Sequence, residues 1–444
     1  MERSAPRLAR TVSLIAVAAL LLVAAAAAAM PWLMPTQDVP ARRLAAGAIF
    51  AASYVSLAVG KVPGLAIDRA GVALVGACLM VASGAMPLDQ AYTAINLDTI
   101  TLLLGMMIVV ANLRLSGFFA LANGFVARHA HRPIVLLAAV TLVSGVCSAF
   151  LVNDAICLVL APLVTELTLT LRRNPVPYLL AVAMASNVGS VATITGNPQN
   201  IMIGSISHIP YTSFVASLAP VAAVGLAVVV MLIALLHRAE FAGAARLTTE
   251  PRPVRINKVL LARALAATAL VIGLFFAGQP PAKAAIIVGA LLLLTRRVRS
   301  SRIYAEIDWS LLLMFSGLFI IVAGAERTLL NEDVVAAVAG LRLDRVPVLT
   351  AITAVLSNLV SNVPAVLVIK PFVAALPDQG RMWLVIALAS TLAGNFTVLA
   401  SIANLIVVEK AARRGVTIGF FAYARVGVPL TLLTLVLGAW WLGR

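Results

Sequence analysis

Four clusters of polar residues interrupt otherwise apolar stretches of this sequence. The first is Val152-Asn153-Asp154, and the second runs from Ser186 to Asn200. The third covers Ser357 to Pro364, and the fourth covers Gly394 to Asn404. A helix that is broken at such a cluster exposes carbonyl groups that bind cations and N–H groups that attract anions. The clusters therefore indicate binding of ions and small solutes.

The second cluster is expected to break its helix. Pro198 lacks an amide proton and Gly196 loosens the helix, so a break is predicted inside the apolar run 178–204. Gly394 is expected to loosen the run 382–408 in the same way. A plainer interpretation stays open, because Gly, Ser and Thr also let helices pack closely and single Asn residues join neighbouring helices.

Asp154 carries the most specific implication. An ionised carboxylate at the centre of a bilayer costs at least about 2.5 to 3.5 kcal/mol, so a cation or a proton is expected to neutralise it. We therefore expect Asp154 to take up Na⁺ or H⁺. Alternatively, its carboxylate caps the backbone amides of its own turn.

Two other charged residues lie in or near these stretches. Lys370 either attracts an anion or extends toward the outer surface. Glu166 either relays protons or pairs with the Arg172-Arg173 pair that follows it. Cys147 and Cys157 flank the first cluster and could bind a thiophilic solute, although packing is the plainer interpretation.

The composition is that of an integral membrane protein. Hydrophobic residues make up 62% of the 444 residues and charged residues only 11%, against about 25% charged residues in an ordinary soluble domain. The net charge of +16 comes from basic residues in short loops, a pattern that orients membrane helices, so no nucleic-acid partner is expected. Because no G-x-x-x-x-G-K-[ST] motif occurs, the energy for any transport must come from an ion gradient or a partner ATPase.

The elements that must position these residues are membrane helices. We predict an all-α integral membrane protein with about 11 transmembrane helices. The apolar runs lie at 11–34, 42–60, 70–87, 97–113, 178–204, 213–236, 259–277, 284–295, 307–325, 382–408 and 417–442. Two further stretches, 133–171 and 346–376, are predicted to be re-entrant hairpins, because their polar interruptions must face protein or a water-filled cavity.

Loop charge predicts the orientation. With a cytoplasmic N-terminus and a periplasmic C-terminus, most of the 33 Lys and Arg residues fall on the cytoplasmic side. The domains are then an N-terminal half at 1–236, a cytoplasmic linker at 237–258 and a C-terminal half at 259–444. The Ala-rich and Arg-rich composition suggests the inner membrane of a bacterium.

The two halves repeat each other. The matching pairs of polar or proline residues, at offsets of 209 and 204 residues, are Ser148/Ser357, Asn153/Asn362, Pro162/Pro371, Ser186/Ser390, Thr193/Thr397 and Asn200/Asn404. In the predicted topology, equivalent segments enter the membrane from opposite sides. Inverted repeats of this kind are typical of alternating-access transporters.

At these residues the sequence resembles the ion transporter superfamily. The resemblance is carried by the segments FLVNDAICLVLAPLV, ASNVGSVATITGNPQNIMIG, VLSNLVSNVPAVLVIKP and GNFTVLASIANLIVVEK, and the helix layout extends it over most of residues 40–440. This superfamily comprises divalent anion:sodium symporters, citrate transporter-like permeases, arsenite efflux permeases and a group of Na⁺/H⁺ antiporters.

The resemblance implies a secondary transporter, not an enzyme, that moves a small anion or oxyanion with Na⁺ or H⁺. The sequence departs from the Ser-Asn-Thr motif of the dicarboxylate-type members at both tips, and the acid at the first tip is closer to the arsenite-permease and antiporter branches. Arsenite or antimonite efflux and Na⁺/H⁺ antiport are therefore the alternatives. A membrane-embedded enzyme is a remote one.

The candidate site has two parts. Substrate binding is assigned to Asn153, Asn187, Ser361, Asn362, Thr391 and Asn395. Coupling of the ion, with Na⁺ as a candidate metal, is assigned to Ser148, Asp154, Gly196, Asn197, Asn200, Ser357, Thr397, Ser401 and Asn404. No cofactor beyond the coupling ion is expected; the expected partners are the lipid bilayer, a second copy of the chain and, for an arsenite-type permease, an ATPase.

Overall fold

The computed structural model describes residues 39–59, 67–129, 131–242, 256–294, 298–330, 338 and 340–444. The regular secondary structure of these residues is entirely helical, which confirms the predicted all-α class for that part of the chain. The span predicted at 11–34 and most of the predicted linker lie outside the described residues.

Runs of Ala, Leu, Val and Ile separated by Gly, Pro and capping residues define the helices. Their bounds are α1 (Val39–Val59), α2 (Arg69–Ala82), α3 (Leu88–Ala94), α4 (Leu97–Ser116), α5 (Phe118–His129), α6 (Pro133–Phe150), α7 (Asn153–Thr170), α8 (Pro175–Ser190), α9 (Pro198–Ser207), α10 (Tyr211–Leu236), α11 (Arg238–Phe241), α12 (Lys258–Phe276), α13 (Pro281–Leu293), α14 (Ser300–Tyr304), α15 (Trp309–Leu329), α16 (Val346–Val360), α17 (Asn362–Val373), α18 (Gln379–Ala393), α19 (Ile402–Ala412) and α20 (Phe420–Leu442).

Seven of the described helices are long and apolar enough to cross a membrane, namely α4, α6, α7, α10, α12, α15 and α20. Shorter apolar helices include α2, α5, α13, α16 and α17. Five of these seven helices match predicted spans, whereas α6 and α7 form the stretch predicted as a re-entrant hairpin. The predicted total of about 11 spans also counts the runs at 11–34, 42–60, 70–87 and 284–295 and two helices that the structure divides into pieces. That total therefore stays a prediction.

Two elements differ from the sequence prediction. The segment 114–132, which lies between the predicted runs 97–113 and 133–171, contains the helix α5. The apolar run at 70–87 ends as a helix at Ala82 and is followed by a turn at Gly84, where φ is +69°. Only glycine adopts that conformation at little cost. The helix therefore ends at this turn, although the apolar run continues to residue 87.

The smaller of two compact units contains the described residues of 39–100, 308–343 and 359–375. Within it, α15 packs against α1 and α2. A Cβ atom on Gly317 would lie 2.6 Å from the carbonyl carbon of Ala73, so α15 and α2 approach each other backbone to backbone. Small residues allow such close packing of apolar helices.

The larger unit contains the described residues of 101–307, 344–358 and 376–444. The helix α8 lies at its centre, since every residue from Pro177 to Ser190 is buried. A Cβ atom on Gly189 would lie 2.1 Å from the carbonyl oxygen of Gly145. This contact holds α6, the first helix of the predicted hairpin at 133–171, directly against α8.

Candidate ion and substrate site

The first hairpin, α6 and α7, turns at Leu151 and Val152. Val152 has a φ of +37°, an uncommon conformation that is costly for a β-branched residue. Its N–H group donates to the carbonyl oxygen of Thr195 at 3.4 Å. The turn thereby bonds to the middle of the run 178–204 and places Asn153, which is 3% exposed, at the start of α7.

The first broken helix consists of α8 and α9, joined by a 3-10 turn at Ile194–Gly196. Asn197 caps α9, because its Oδ1 accepts a hydrogen bond from the N–H of Asn200 at 2.8 Å. A Cβ atom on Gly196 would lie 2.1 Å from the carbonyl oxygen of Ser190. The break predicted at Gly196 and Pro198 is therefore confirmed, with glycine required where the chain folds back on α8.

The second broken helix consists of α18 and α19, joined by a 3-10 turn at Val398–Ala400. Each of its boundaries lies 203 or 204 residues after the matching boundary around the first 3-10 turn. In the first break, Nδ2 of Asn200 donates to the carbonyl oxygens of Ser190 and Thr193 at 3.1 and 3.0 Å. In the second, Nδ2 of Asn404 donates to those of Gly394 and Thr397 at 2.7 and 3.0 Å. In each break, an asparagine amide at the equivalent position in the second piece therefore bonds to the carbonyl groups ahead of the 3-10 turn.

Asn187, near the end of α8, uses all four bonding positions of its amide within the larger unit. Its Nδ2 donates to Oδ1 of Asn395 at 2.9 Å and to Oδ1 of Asn404 at 3.1 Å. Its Oδ1 accepts from Nδ2 of Asn153 at 3.0 Å and from Oγ of Ser401 at 3.3 Å. Asn187 thus connects the first hairpin tip to the second broken helix.

Thr391 holds the corresponding position in α18, 204 residues after Asn187. Its hydroxyl accepts from Nδ2 of Asn197 and from Nε2 of Gln199, both at 3.1 Å. It donates to Oδ1 of Asn200 at 3.4 Å. The two broken helices therefore bond crosswise, since the second piece of each is held by the first piece of the other.

Backbone carbonyl groups fix the orientation of the amides around Asn187. Asn395 and Asn404 direct Nδ2 to the carbonyl oxygens of Met184 and Gly394, so each turns Oδ1 toward Asn187. Asn187 donates from Nδ2 to both of these Oδ1 atoms, so its own Oδ1 faces Asn153. Asn153 must therefore donate to it from Nδ2.

Oδ1 of Asn153 is consequently left with no hydrogen-bond partner among the described residues. The atom is an acceptor, and the residue is nearly fully buried. Leaving such a group without a partner costs free energy. The position is therefore suited to a cation or to a hydrogen-bond donor, and unsuited to the oxygen of an anion.

Two serines support the tip. Oγ of Ser148 donates to Oγ of Ser186 at 2.8 Å, and Oγ of Ser186 donates to the carbonyl oxygen of Asn153 at 3.1 Å. In α16, Oγ of Ser357 donates to the carbonyl oxygen of Ser390 at 3.0 Å. Both ion-coupling candidates, Ser148 and Ser357, thus bond to the first piece of a broken helix.

The remaining candidates divide between the units. Asp154 lies half-buried in the first turn of α7, in the larger unit. Ser361, with a φ of +77°, and Asn362, at the start of α17, belong to the smaller unit. The joint assignment of Asn153 and Asn362 to substrate binding stays a prediction.

Lys370 and Glu166 have partners that the sequence analysis did not name. Lys370 pairs with Glu326 of α15 at 3.4 Å, inside the smaller unit. Glu166 pairs with Arg414, which follows α19, at 3.3 Å, while Arg173 pairs with Glu240 at 2.7 Å. Glu166 therefore has a cationic partner from a distant segment, and its pairing with the Arg172-Arg173 pair stays a prediction.

Three residues of the network are missing from the sequence-based candidate set, namely Ser186, Ser190 and Gln199. Oγ of Ser190 donates to the carbonyl oxygen of Asn187 at 2.8 Å and accepts from Nδ2 of Asn197 at 3.0 Å. All three lie in the second polar cluster, so the signal was present. Their bonds depend on the folding of α9 back toward α8, which the sequence alone does not specify.

Comparison with known proteins identifies the family. The family model described as CitMHS, citrate transporter, matches residues 48–393. The chain belongs to this family. The resemblance stated from the four sequence segments is thereby confirmed, and the chain is a multi-pass membrane transporter rather than an enzyme.

Relatives within and beyond bacteria carry transporter names. A protein of Mycobacterium tuberculosis named an uncharacterized transporter is 30% identical over 88% of this chain and 96% of its own length. A silicon efflux transporter of Oryza sativa subsp. japonica is 28% identical over 86% of this chain and 94% of its own. A putative transporter of Dictyostelium discoideum, named arsB, is 24% identical over 84% and 87%.

A solved structure shares the fold. The YdaH transporter of Alcanivorax borkumensis, described as having an unusual topology, superposes with a TM-score of 0.54. The match covers 90% of this chain and 97% of that one at 16% sequence identity. At that identity the likeness concerns the helical architecture alone.

Proposed function

We propose that this protein is a secondary active transporter that moves a small solute by alternating access, coupled to a monovalent cation at the first hairpin tip. The observation that carries the proposal is the unpartnered Oδ1 of Asn153 within a network of otherwise bonded amides. That network joins a hairpin tip to two broken helices, the arrangement that transporters use to form an ion and substrate site.

Alternating access is supported by the likeness between the two broken helices. Their 3-10 turns and the amides that close them correspond at one offset. Related segments that bond crosswise can exchange roles between an outward-facing and an inward-facing state, because each arrangement of one half has a counterpart in the other. The same likeness supports the inverted repeat proposed from the sequence.

Na⁺ is the coupling ion that the chemistry of Asn153 favours. A side-chain amide oxygen is an acceptor and does not hold a proton at neutral pH, whereas oxygen ligands suit hard cations. The carboxylate of the next residue, Asp154, adds a negative charge to the first turn of α7. Asp154 is the residue that would carry a proton. If no other solute moves, the function is Na⁺/H⁺ antiport.

The substrate class is a small anion or oxyanion, with an uncharged oxyacid as the second candidate. The relatives named a silicon efflux transporter and arsB agree with a hydroxylated oxyacid. The family description names citrate.

A transport assay with purified protein in liposomes tests the proposal. Citrate, arsenite and silicic acid are supplied in turn under an imposed Na⁺ gradient, an imposed pH gradient, or neither. We expect one solute to move against its own gradient only while a cation gradient is present, and to stop when an ionophore collapses it.

Two asparagines supply a matched pair of variants for this assay. Asn404 and Asn112 are both fully buried, and each donates Nδ2 to a backbone carbonyl group, but Asn112 shares no described hydrogen bond with the network. Asn404→Ala should lower the rate at least about tenfold, whereas Asn112→Ala should leave the ion dependence unchanged. Movement of no solute and no ion by well-folded protein would refute the function.

A further inference from the structure

Asn187 and Thr391 lie at equivalent positions of the two broken helices, and each bonds to the second piece of the other broken helix. They differ in which segment supplies one of their bonds. Oδ1 of Asn187 accepts one of its bonds from the hairpin tip, through Nδ2 of Asn153. The hydroxyl of Thr391 accepts the comparable bond from Gln199 in α9. The position that matches Gln199 in the second broken helix, 204 residues later, is Ala403.

The hydroxyl of Thr391 has no bonding capacity left. A threonine hydroxyl has one proton to donate and two lone pairs to accept with. Asn197 and Gln199 take the two lone pairs, and Asn200 takes the proton. The polar groups around Thr391 therefore satisfy one another through groups of the same unit.

The surroundings of Asn187 are not closed in this way. Ala403 is fully buried, and its methyl group offers no polar atom to Asn187. The tip residue Asn153 supplies the bond instead and keeps an acceptor oxygen without a described partner. The polar groups around Thr391 are thus all bonded, while those around Asn187 include a buried acceptor oxygen with no partner among the described residues.

We propose that Gln199 completes the hydrogen bonds of the Thr391 hydroxyl, so that no ion binds there. The transporter then binds a single Na⁺ ion per chain, at Asn153. This inference deepens the proposed function, on which it rests. The repeat alone would predict two ion sites, one in each half. The inference instead gives one ion site, at Asn153, and one purely structural cluster, at Thr391. Gln199 is then the residue that sets the coupling stoichiometry.

Removing Gln199 should restore the missing acceptor. In Gln199→Ala, the hydroxyl of Thr391 regains a lone pair and the departed side chain leaves room for an ion and its water. Gln199→Leu is the matched control, because leucine fills most of the same volume without a polar atom. Leucine should therefore free the hydroxyl without making room.

Binding of radioactive Na⁺ to purified protein measures the stoichiometry without a known substrate. We expect about one Na⁺ per chain and a Hill coefficient of about 1 for wild type and Gln199→Leu. Gln199→Ala should bind about two, with a Hill coefficient above 1 if the sites interact. Size-exclusion profiles confirm that each variant is folded.

The outcomes separate this inference from the function on which it rests. Two Na⁺ ions on wild type, or one on well-folded Gln199→Ala, would overturn the role of Gln199 while transport in liposomes continues. Absence of Na⁺ binding to wild type would overturn the inference outright. Na⁺ binding without any vectorial transport would instead overturn the proposed function.

Discussion

Asn187 shows why a neutral residue can be indispensable in a buried site. Its amide has four hydrogen bonds to three segments, and each partner is itself buried. Truncating the side chain would leave several buried polar atoms unsatisfied at once, each at a cost of about 1 to 3 kcal/mol. The cost is larger than the loss of any single bond.

We expect Asn187→Ala to lower transport by at least about tenfold and to reduce thermal stability. Asn187→Thr should be milder on both counts, because a hydroxyl stands at the equivalent position, Thr391, in the second half. The measurements are the transport rate in liposomes and the unfolding temperature in detergent. Asn187→Ala at wild-type rate and stability would show that the network is not required.

The sequence identified the residue types of this site better than their bonds. Asn153, Asn200 and Asn404 stand out because amides are rare in apolar helix, and all three take part in the network. Gln199 lies in the same run, but nothing local indicates that its side chain reaches α18. Long-range partners such as Glu326 for Lys370 are likewise set by tertiary packing rather than by spacing.

At the scale of elements, the first break depends on a glycine that the second break replaces. Ala400 stands 204 residues after Gly196, so the two 3-10 turns tolerate a Cβ atom differently. On Gly196 that atom would overlap the carbonyl oxygen of Ser190, an acceptor for Asn200. The turn would have to shift, and the closing amide with it.

Gly196→Ala is therefore expected to lower transport by about tenfold or more, with a smaller loss of thermal stability. The control is Ala400→Gly, which removes a methyl group from the equivalent turn and should keep most of the activity. Transport rates of both variants at equal reconstitution give the comparison. Equal activity of Gly196→Ala and wild type would mean that the geometry of this break is not functional.

Element boundaries were predictable where Pro and Gly set them. The breaks near Gly196 and Gly394 occur where the sequence indicated, and α18 ends at Ala393. The helix α5 lies between the predicted runs 97–113 and 133–171 and was not predicted as an element. With 12 residues, it falls short of the about 20 apolar residues by which a membrane span is recognised.

For the whole molecule, the inverted topology predicts that equivalent positions of the two halves lie on opposite sides of the membrane. His208 follows α9 and Ala412 ends α19, at the same offset of 204. Both are exposed. The predicted orientation puts His208 on the periplasmic side and Ala412 on the cytoplasmic side.

Single cysteines at these positions, His208→Cys and Ala412→Cys, test this in a background without Cys78, Cys147 and Cys157. A membrane-impermeant maleimide should label the first in intact cells and the second only after permeabilisation. Labelling of both from the same side would contradict an inverted repeat and with it the predicted mechanism. The family assignment would stand in either case.

The central claim, that the coupling ion binds at Asn153, is tested most directly by the Na⁺ concentration that half-saturates binding to purified protein. We expect Asn153→Ala to raise this concentration at least about tenfold and Asn112→Ala to leave it unchanged. An unaltered Na⁺ affinity in well-folded Asn153→Ala would contradict the account.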